Sequence, residues 1–583
     1  MSLAFDFMTF RLDDFQTMDS ILYIFLPCKK VYPIGVTYLA DFIHRRKPDV
    51  RQRILDLSLF PDAQRISAVR DATTEFKPDL VCFSWRDIQI FSPHEGDSSL
   101  EHAFNFYFAS NPLKRIAASF AGAKQLYRYY SHIRAALSYP WLIAKEFPKA
   151  QIMIGGGAFT AFADQLIQKL PEGTIGILGE GEDAILKVID GQSLENERYI
   201  LREGKTVRKG QQGSPALLDA LTVDLPYLTS IFPQHREYLG ESIGVQSKRG
   251  CPYDCAFCLY PYIEGKRVRY RPPSMVVKDI SQHYHQWGAR RFWFTDAQFI
   301  TGKEAYPQCI EILERILAEK LEIEWSGYIR TSLITPELAK LMVRSGVGDL
   351  EVAITSGSQV VLNDLHMGFK LERLYDGCRY LAEAGFKGKV ILNYSLNSPK
   401  ETEESLLQSV ESYKKVASIL GEERVFPLMF FLGIQPNTDL EQRLLEEGYL
   451  SAGYNPLMLT PTSIRKLLYN PAPLNSFIAK ACLMAWERKD GSRDPRKWTG
   501  SLSQAPKESG PYADKSLIRG IEGNSGRDAL LSLEEILRSP TIPSLRKRIE
   551  RKIRRDPGIL TSSHQSPSTP CIRIQAGASM CVL

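Results

Sequence analysis

Short apolar runs alternate with segments of helical spacing through the first 190 or so residues of the chain. ILYIFLP (21–27) is apolar throughout and closes on proline, the pattern of a strand buried on both faces of a parallel sheet. IGVTYLADFIHRR (34–46) repeats its apolar residues at helical spacing. RILDLSL (53–59), PDLVCFSW (78–85) and QIMIGG (151–156) read as further strands, and ISAVRDATTEF (66–76) and FADQLIQKL (162–170) as helices. GTIGILGEGEDAILKVIDG (173–191) reads as strand, glycine-rich turn and helix. The alternation predicts a doubly wound α/β domain over residues 20–191. An aromatic and basic insertion at 92–148 interrupts it, with FNFYFASNPLKR and KQLYRYYSHIR. Its helical spacing suits either a packed lid or a substrate-contacting surface.

Residues 192–242 read as a linker with small strands. A strand near 243–248 then restarts the β/α pattern, followed by RRFWFTDAQF (290–299), EIEWSGYIR (322–330), GDLEVAITS (348–356), GKVILNYSL (388–396) and VFPLMFFLGI (425–434). A helical segment lies between each successive pair. Residues 243–450 are therefore expected to form a partial or full β/α barrel, with chemistry at the carboxyl ends of its strands. A helical extension is expected at 451–487. Residues 488–583 turn rich in Gly, Pro, Ser and charge, and read as linker, basic helix and disordered tail. Within them ALLSLEEIL (529–537) and SLRKRIERKIRRD (544–556) have helical character.

Composition narrows the class. Hydrophobic residues are 44% and charged residues 24% of the 583, ordinary for a folded protein. The formal net charge is only +6, which argues against a nucleic-acid partner. The basic run at 544–556 suits a solvated helix face first and peripheral contact with an anionic membrane second. MSLAFDFMTFRLDDFQT at the start lacks the basic and apolar regions of a signal peptide, and no uncharged apolar stretch approaches the roughly 20 residues of a spanning helix. A cytoplasmic setting is expected, and ten cysteines, seven of them scattered, fit a reducing compartment rather than a disulfide framework.

Three of those cysteines are not scattered. KRGCPYDCAFCLYP (248–261) places Cys251, Cys255 and Cys258 at spacing C-x3-C-x2-C, which chance would produce roughly 0.003 times in such a chain. Three thiolates on one short loop suit a cubane iron–sulfur cluster that keeps one iron open. A closed zinc site would want a fourth ligand, and His235, His283 and His285 stand at no usual ligand spacing.

This loop resembles the hallmark of the radical S-adenosylmethionine (SAM) superfamily, with Phe257 at the aromatic position before the last cysteine. The resemblance implies a 4Fe–4S cluster and SAM, whose reductive cleavage gives a 5′-deoxyadenosyl radical that abstracts hydrogen. FTDAQF (294–299) resembles the second-strand motif beside the methionine moiety, carrying Thr295 and Asp296; Asp296 reads equally as a helix N-cap. GYIRTS (327–332) offers Arg330 and Ser332 to the ligand, though Arg330 suits a surface ion pair as well. AITSGS (353–358) resembles a G-x-E-S-G-S stretch with Thr355 in place of the acid, which removes the full negative charge an ammonium would prefer. NYSLNSPKETEES (393–405) resembles a G-x-P-x-E-T turn in which Glu401, Glu403 and Glu404 open a helix.

A Rossmann-like domain before such a barrel resembles the cobalamin-binding branch of the superfamily. IGGGAFTAFADQL (154–166) and GILGEGEDAILKVI (176–189) carry the matching loops, with Gly155, Gly156 and Gly157 and then Gly179, Glu180 and Gly181. Glycines there would let backbone approach a planar ligand, or simply make tight βα turns. Ser84, Trp85 and Arg86, at the end of the third strand, are further candidates to face it, although Trp85 suits core packing equally. No D-x-H-x-x-G motif supplies a lower histidine ligand. The branch implies methyl transfer from cobalamin to an unactivated carbon of a small or lipid-like substrate, with flavodoxin or ferredoxin as electron donor. A radical oxidoreductase, cyclase or rearrangement enzyme, with or without cobalamin, is the alternative. A cobalamin-binding sensor with a relic barrel fits less well, because a sensor has no use for an open iron.

Overall fold

The computed structural model describes residues 17–457, apart from 27–29, 88–90, 92–104, 107–110, 211–212, 214–216 and 431, together with 523–538. Most of the insertion's first part, residues 458–487 of the expected extension, the basic helix at 544–556 and the tail lie outside the described residues.

Seven strands form the first sheet: β1 (Ser20–Phe25), β2 (Arg51–Asp56), β3 (Leu80–Ser84), β4 (Gln151–Gly155), β5 (Ile175–Ile177), β6 (Tyr199–Glu203) and β7 (Thr206–Gly210). Their order is β2-β1-β3-β4-β5-β6-β7, with β1 to β5 parallel and the β6–β7 hairpin antiparallel. The small strands expected in a linker thus extend this sheet. All six residues of β1 are buried, which is why its run needs no polar alternation. The chain turns one way from β1 to β2 and the other way from β1 to β3. That reversal opens a crevice at the strands' carboxyl ends, where such sheets bind ligands.

The glycine ending this crevice is fixed by packing. Gly156 has φ +98°, and a Cβ there would stand 2.5 Å from the Trp85 carbonyl oxygen. Trp85 is fully buried and packs edge-on to Phe91, so it belongs to the core. The crossover from β3 to β4 ends in one long helix, Pro112–Glu146, which the Asn111 side chain caps by accepting from the Leu113 N–H at 2.9 Å. Its last part buries Ile133, Ala136, Tyr139 and Ile143 against the sheet.

The second sheet follows β8 (Ile243–Val245), with the short β9 (Lys248–Arg249) and β10 (Arg269–Tyr270) paired beside it, then β11 (Arg291–Phe294), β12 (Glu324–Tyr328), β13 (Val347–Thr355), β14 (Val390–Ser395) and β15 (Val425–Phe430). Six strands run parallel in the order β15-β14-β13-β12-β11-β8, a partial barrel. The helix Gly523–Arg538 covers its β15 edge, burying Ala529, Leu530, Leu533, Ile536 and Leu537. The segment expected as part of a C-terminal linker region is therefore an element of the barrel.

The two sheets share one core. Arg271, fully buried, donates to the Leu221 carbonyl, to Tyr38 Oη at 2.8 Å, to the Gln246 carbonyl at 2.6 Å and to Asp279 at 2.8 Å. One guanidinium thereby ties the first domain to the barrel, with its donors satisfied as burial demands.

Candidate active site

The cysteine loop is held by backbone bonds to distant parts of the barrel. Cys251 N–H donates to the Gly265 carbonyl at 3.1 Å, Ala256 N–H to Leu365 at 3.0 Å, and Leu440 N–H to the Ala256 carbonyl at 2.7 Å. A cavity opens above it, lined by Cys251, Cys255, Cys258, Phe257, Tyr253, Gln298, Tyr328, Arg330, Ala353 and Met367. Three thiols, one aromatic ring and one guanidinium named by the sequence thus converge. Among the described residues, no three His, Cys, Asp or Glu side chains are arranged to hold a single metal ion. The donor set of three thiols around a shared space fits a cluster better than a zinc ion.

Arg330 is not at the surface. It is 9% exposed, its guanidinium lies 3.4 Å from the Tyr253 ring centroid, and Nη2 donates to Cys255 Sγ at 3.6 Å. Burial pushes the Cys251 thiol up to about 11, and raises Cys255 against the opposing pull of Arg330. A bound metal would reverse that balance by favouring the thiolates. Gln298 was not singled out from sequence, though it stands in the FTDAQF motif; its Oε1 is buried in the cavity wall without a hydrogen-bond partner. An orphaned acceptor there fits a ligand that brings an N–H or ammonium group.

Four expected residues lie outside this cavity's lining: Asp296, Thr355, Ser332 and Thr295. Asp296 is wholly buried and caps no helix; its carboxylate is engaged by the backbone and side chains of Ser247 and Lys248. One oxygen accepts from the Ser247 N–H at 2.7 Å and the Lys248 N–H at 3.1 Å; the other takes Ser247 Oγ and Lys248 Nζ. Burial is the largest single influence on the Lys248 ammonium and would lower it, but the charge and hydrogen bond of Asp296, with Cys309 and Tyr270, together outweigh it and the net shift is upward. The pair locks the turn that launches the cysteine loop. Thr355 is fully buried at φ +65°, a strained conformation for a β-branched residue, with Oγ1 unpartnered, while Ala353 of the same strand faces the cavity. Ser332 is half-buried on a 3₁₀ turn beyond Arg330.

A second and larger cavity, about 210 Å³, lies between the first sheet and the barrel and opens to solvent. Gly155, Gly156, Gly157, Gly179, Glu180 and Gly181 line it, with Ser84, Arg86 and Gly35 from the first domain and Gln246, Arg249, Glu264 and Thr295 from the second. Thr295 therefore serves this space rather than the cysteine cavity. A Cβ on Gly35 or Gly181 would meet nothing within 4 Å, so these two glycines leave room that packing does not need. That open cradle fits a large planar ligand. No histidine is among the lining residues.

A charged bridge joins the cavities. Arg249 pairs with Glu182 at 2.7 Å and Glu180 at 3.5 Å; Arg269 Nη1 donates to Glu180 at 2.8 Å; the Gly250 N–H, beside Cys251, donates to Glu264 at 3.0 Å. The G-E-G-E loop of the first domain is thus tied to the strand and turn that carry the cysteines.

Residues 245–412 match the radical SAM superfamily, a domain class defined by a 4Fe–4S cluster and SAM. An uncharacterized methyltransferase of Pyrococcus horikoshii is 25% identical over 281 residues, 47% of this chain and 60% of that protein. An anaerobic magnesium-protoporphyrin IX monomethyl ester cyclase of Cereibacter sphaeroides is 23% identical over 250 residues, 41% of this chain and 40% of that protein. The chain thus spans about two to three fifths of these curated relatives. Among solved structures, the cobalamin-dependent SAM radical enzyme OxsB, with aqua-cobalamin and SAM bound, aligns over 94% of this chain and 82% of its own at a TM-score of 0.57 and 13% identity. The chain carries a radical SAM domain, and its fold is that of cobalamin-dependent radical SAM enzymes.

Proposed function

We propose that the protein is a cobalamin-dependent radical SAM enzyme that transfers a methyl group to an unactivated carbon of a small or lipid-like substrate. The observation that carries this is the pair of cavities, one walled by the cysteine triad and the other by an open glycine cradle, joined through Arg249, Glu264 and Gly250. Cys251, Cys255 and Cys258 would hold the cluster, and Gly35, Gly155, Gly157 and Gly181 would admit the corrin. When bound, the cluster and SAM supply a hydrogen-abstracting radical and cobalamin supplies the methyl group. The chain's own part is to bind, orient and exclude water. Arg330 places positive charge and a planar fork where a carboxylate would be received, stacked on Tyr253 so that little rotamer entropy is lost on binding. Gln298 offers its free acceptor to an ammonium. Phe257 and Met367 keep the cluster side of the cavity apolar. Flavodoxin or ferredoxin would supply the electron.

A second reading, cyclisation or oxidation by the same cofactors, is favoured by the likeness to the protoporphyrin ester cyclase. Anaerobic reconstitution with quantified iron, sulfide and corrinoid tests both. One four-iron cluster and one corrinoid per chain are expected, with 5′-deoxyadenosine released on adding dithionite and SAM. A Cys251→Ala/Cys255→Ala/Cys258→Ala variant that kept its iron would refute the cluster site. Absence of corrinoid uptake at micromolar concentration would remove methyl transfer and leave the cobalamin-free reading. Cob(II)alamin in the protein should show no nitrogen splitting from a histidine, since none is found among the described residues that line the cavity.

A further inference from the structure

The long helix Pro112–Glu146 has two apolar faces. The first packs on the sheet through Ile133, Ala136, Tyr139 and Ile143, and Ala118 is buried on the same side of the helix. The second faces solvent: Leu113, Ile116, Phe120 and Tyr127 are 73%, 56%, 75% and 71% exposed. At 100° per residue these four fall within an arc of roughly 60°, on the side away from the packed face, in a stripe about 21 Å long. Isolated exposed apolar side chains are ordinary, but four in register on one helix are not.

Charge narrows what can cover them. Between Pro112 and Lys145 the sequence holds six Lys or Arg and no Asp or Glu. Lys124 and Arg134, both exposed, lie at the margins of the stripe. An apolar ridge flanked only by cations complements an anionic lipid surface, into which the apolar side chains sink while the basic ones snorkel to the headgroups.

Topology places the stripe usefully. The helix is about 52 Å long, whereas the five-residue strand β4 that follows it spans about 17 Å. Because it leads into β4, it runs antiparallel to the strands. Its carboxyl half lies along the sheet, and its amino half extends past the strands' carboxyl ends, the edge that holds the glycine-lined cavity.

We propose that the Leu113–Tyr127 face of this helix docks the protein on an anionic membrane surface and holds the cavity-bearing edge against the lipid. The test is flotation of the full-length chain with vesicles of phosphatidylcholine alone and of phosphatidylcholine mixed with phosphatidylglycerol. Wild type should float with the anionic vesicles and not with the neutral ones, less so as salt is raised. Leu113→Ser/Phe120→Ser should lower the partition coefficient by about tenfold or more. Lys124→Glu/Arg134→Glu should lower it by a similar factor, at about fivefold per basic residue lost. All four positions are exposed, and unchanged far-ultraviolet circular dichroism and thermal midpoints establish that the variants are folded. Equal binding to neutral vesicles, no binding at all, or unchanged binding by both variants would overturn the proposal. A wild-type dimer that Phe120→Ser converts to monomer would also overturn it, assigning the stripe to a second copy of the chain.

Discussion

Replacing Glu401 by Gln should remove a loss of stability that this protein suffers as pH rises. Glu401 precedes Thr402, the capping residue of the helix Glu403–Leu420, and is only 8% exposed. One carboxyl oxygen accepts from Ser405 Oγ at 2.5 Å and from Ser356 Oγ at 3.4 Å; the other has no partner. Burial pushes the carboxyl from 4.5 up to about 8, with the two serine hydroxyls opposing the shift. The folded state therefore holds a proton that the unfolded chain has released. Stability from this group is fully present below about pH 4.5 and is lost progressively as pH rises to about 8. At 1.36 kcal/mol per unit, the shift corresponds to a loss of about 5 kcal/mol at most, and roughly 2–5 kcal/mol once water relaxes the site. The assay is urea unfolding of wild type and Glu401→Gln from about pH 4.5 to about pH 9, followed by far-ultraviolet circular dichroism. Taking the difference between the two proteins cancels the titration of other groups. The variant should lie close to wild type near pH 4.5 and draw ahead as pH rises, becoming more stable by roughly 2–5 kcal/mol near pH 9. A variant with the same pH slope as wild type, or one less stable at pH 9, would show that Glu401 is ionised in the fold and that the reasoning is wrong.

Three further outcomes follow from the same geometry. Asp296→Asn should cost roughly 3–5 kcal/mol in a urea titration, because it leaves the Lys248 ammonium buried beside a neutral amide; a loss below 1 kcal/mol would mean that water reaches the pair. Gly156→Ala should destabilise the whole fold, since its Cβ meets the Trp85 backbone, whereas Gly181→Leu should leave the thermal midpoint near wild type and weaken corrinoid uptake; the opposite ranking would put the cradle elsewhere. Arg330→Ala should retain iron and sulfide but weaken SAM binding to the reconstituted protein by roughly 10- to 100-fold by calorimetry, the worth of a charged hydrogen bond; unchanged affinity would place the carboxylate of SAM away from Arg330.

The parallel strands and the cysteine loop are legible in the sequence because both are local. A strand buried on both faces must be apolar along its length, as β1 is, and three thiols on an eight-residue span can meet without help from the rest of the chain. What lies across a turn is decided elsewhere. Thr295 and Asp296 are neighbours, and an extended backbone sends neighbouring side chains to opposite sides. Only the packed barrel determines that Thr295 looks into the glycine cavity while Asp296 is consumed by Ser247 and Lys248. Glu401 reads as an exposed acid favourable at a helix start, yet the Ser356–Gly357 turn packs over it from 45 residues away and excludes its charge from water. The glycines divide in the same manner. Gly156 and Gly181 look alike as letters in two loops, but one is imposed by the Trp85 carbonyl and the other faces open space, a distinction that depends on what the fold brings within 4 Å. The helix Gly523–Arg538 is periodic enough to be expected, but its apolar face has no local partner. It finds one only at the open edge of β15, where a parallel sheet that does not close needs a cover for its last strand.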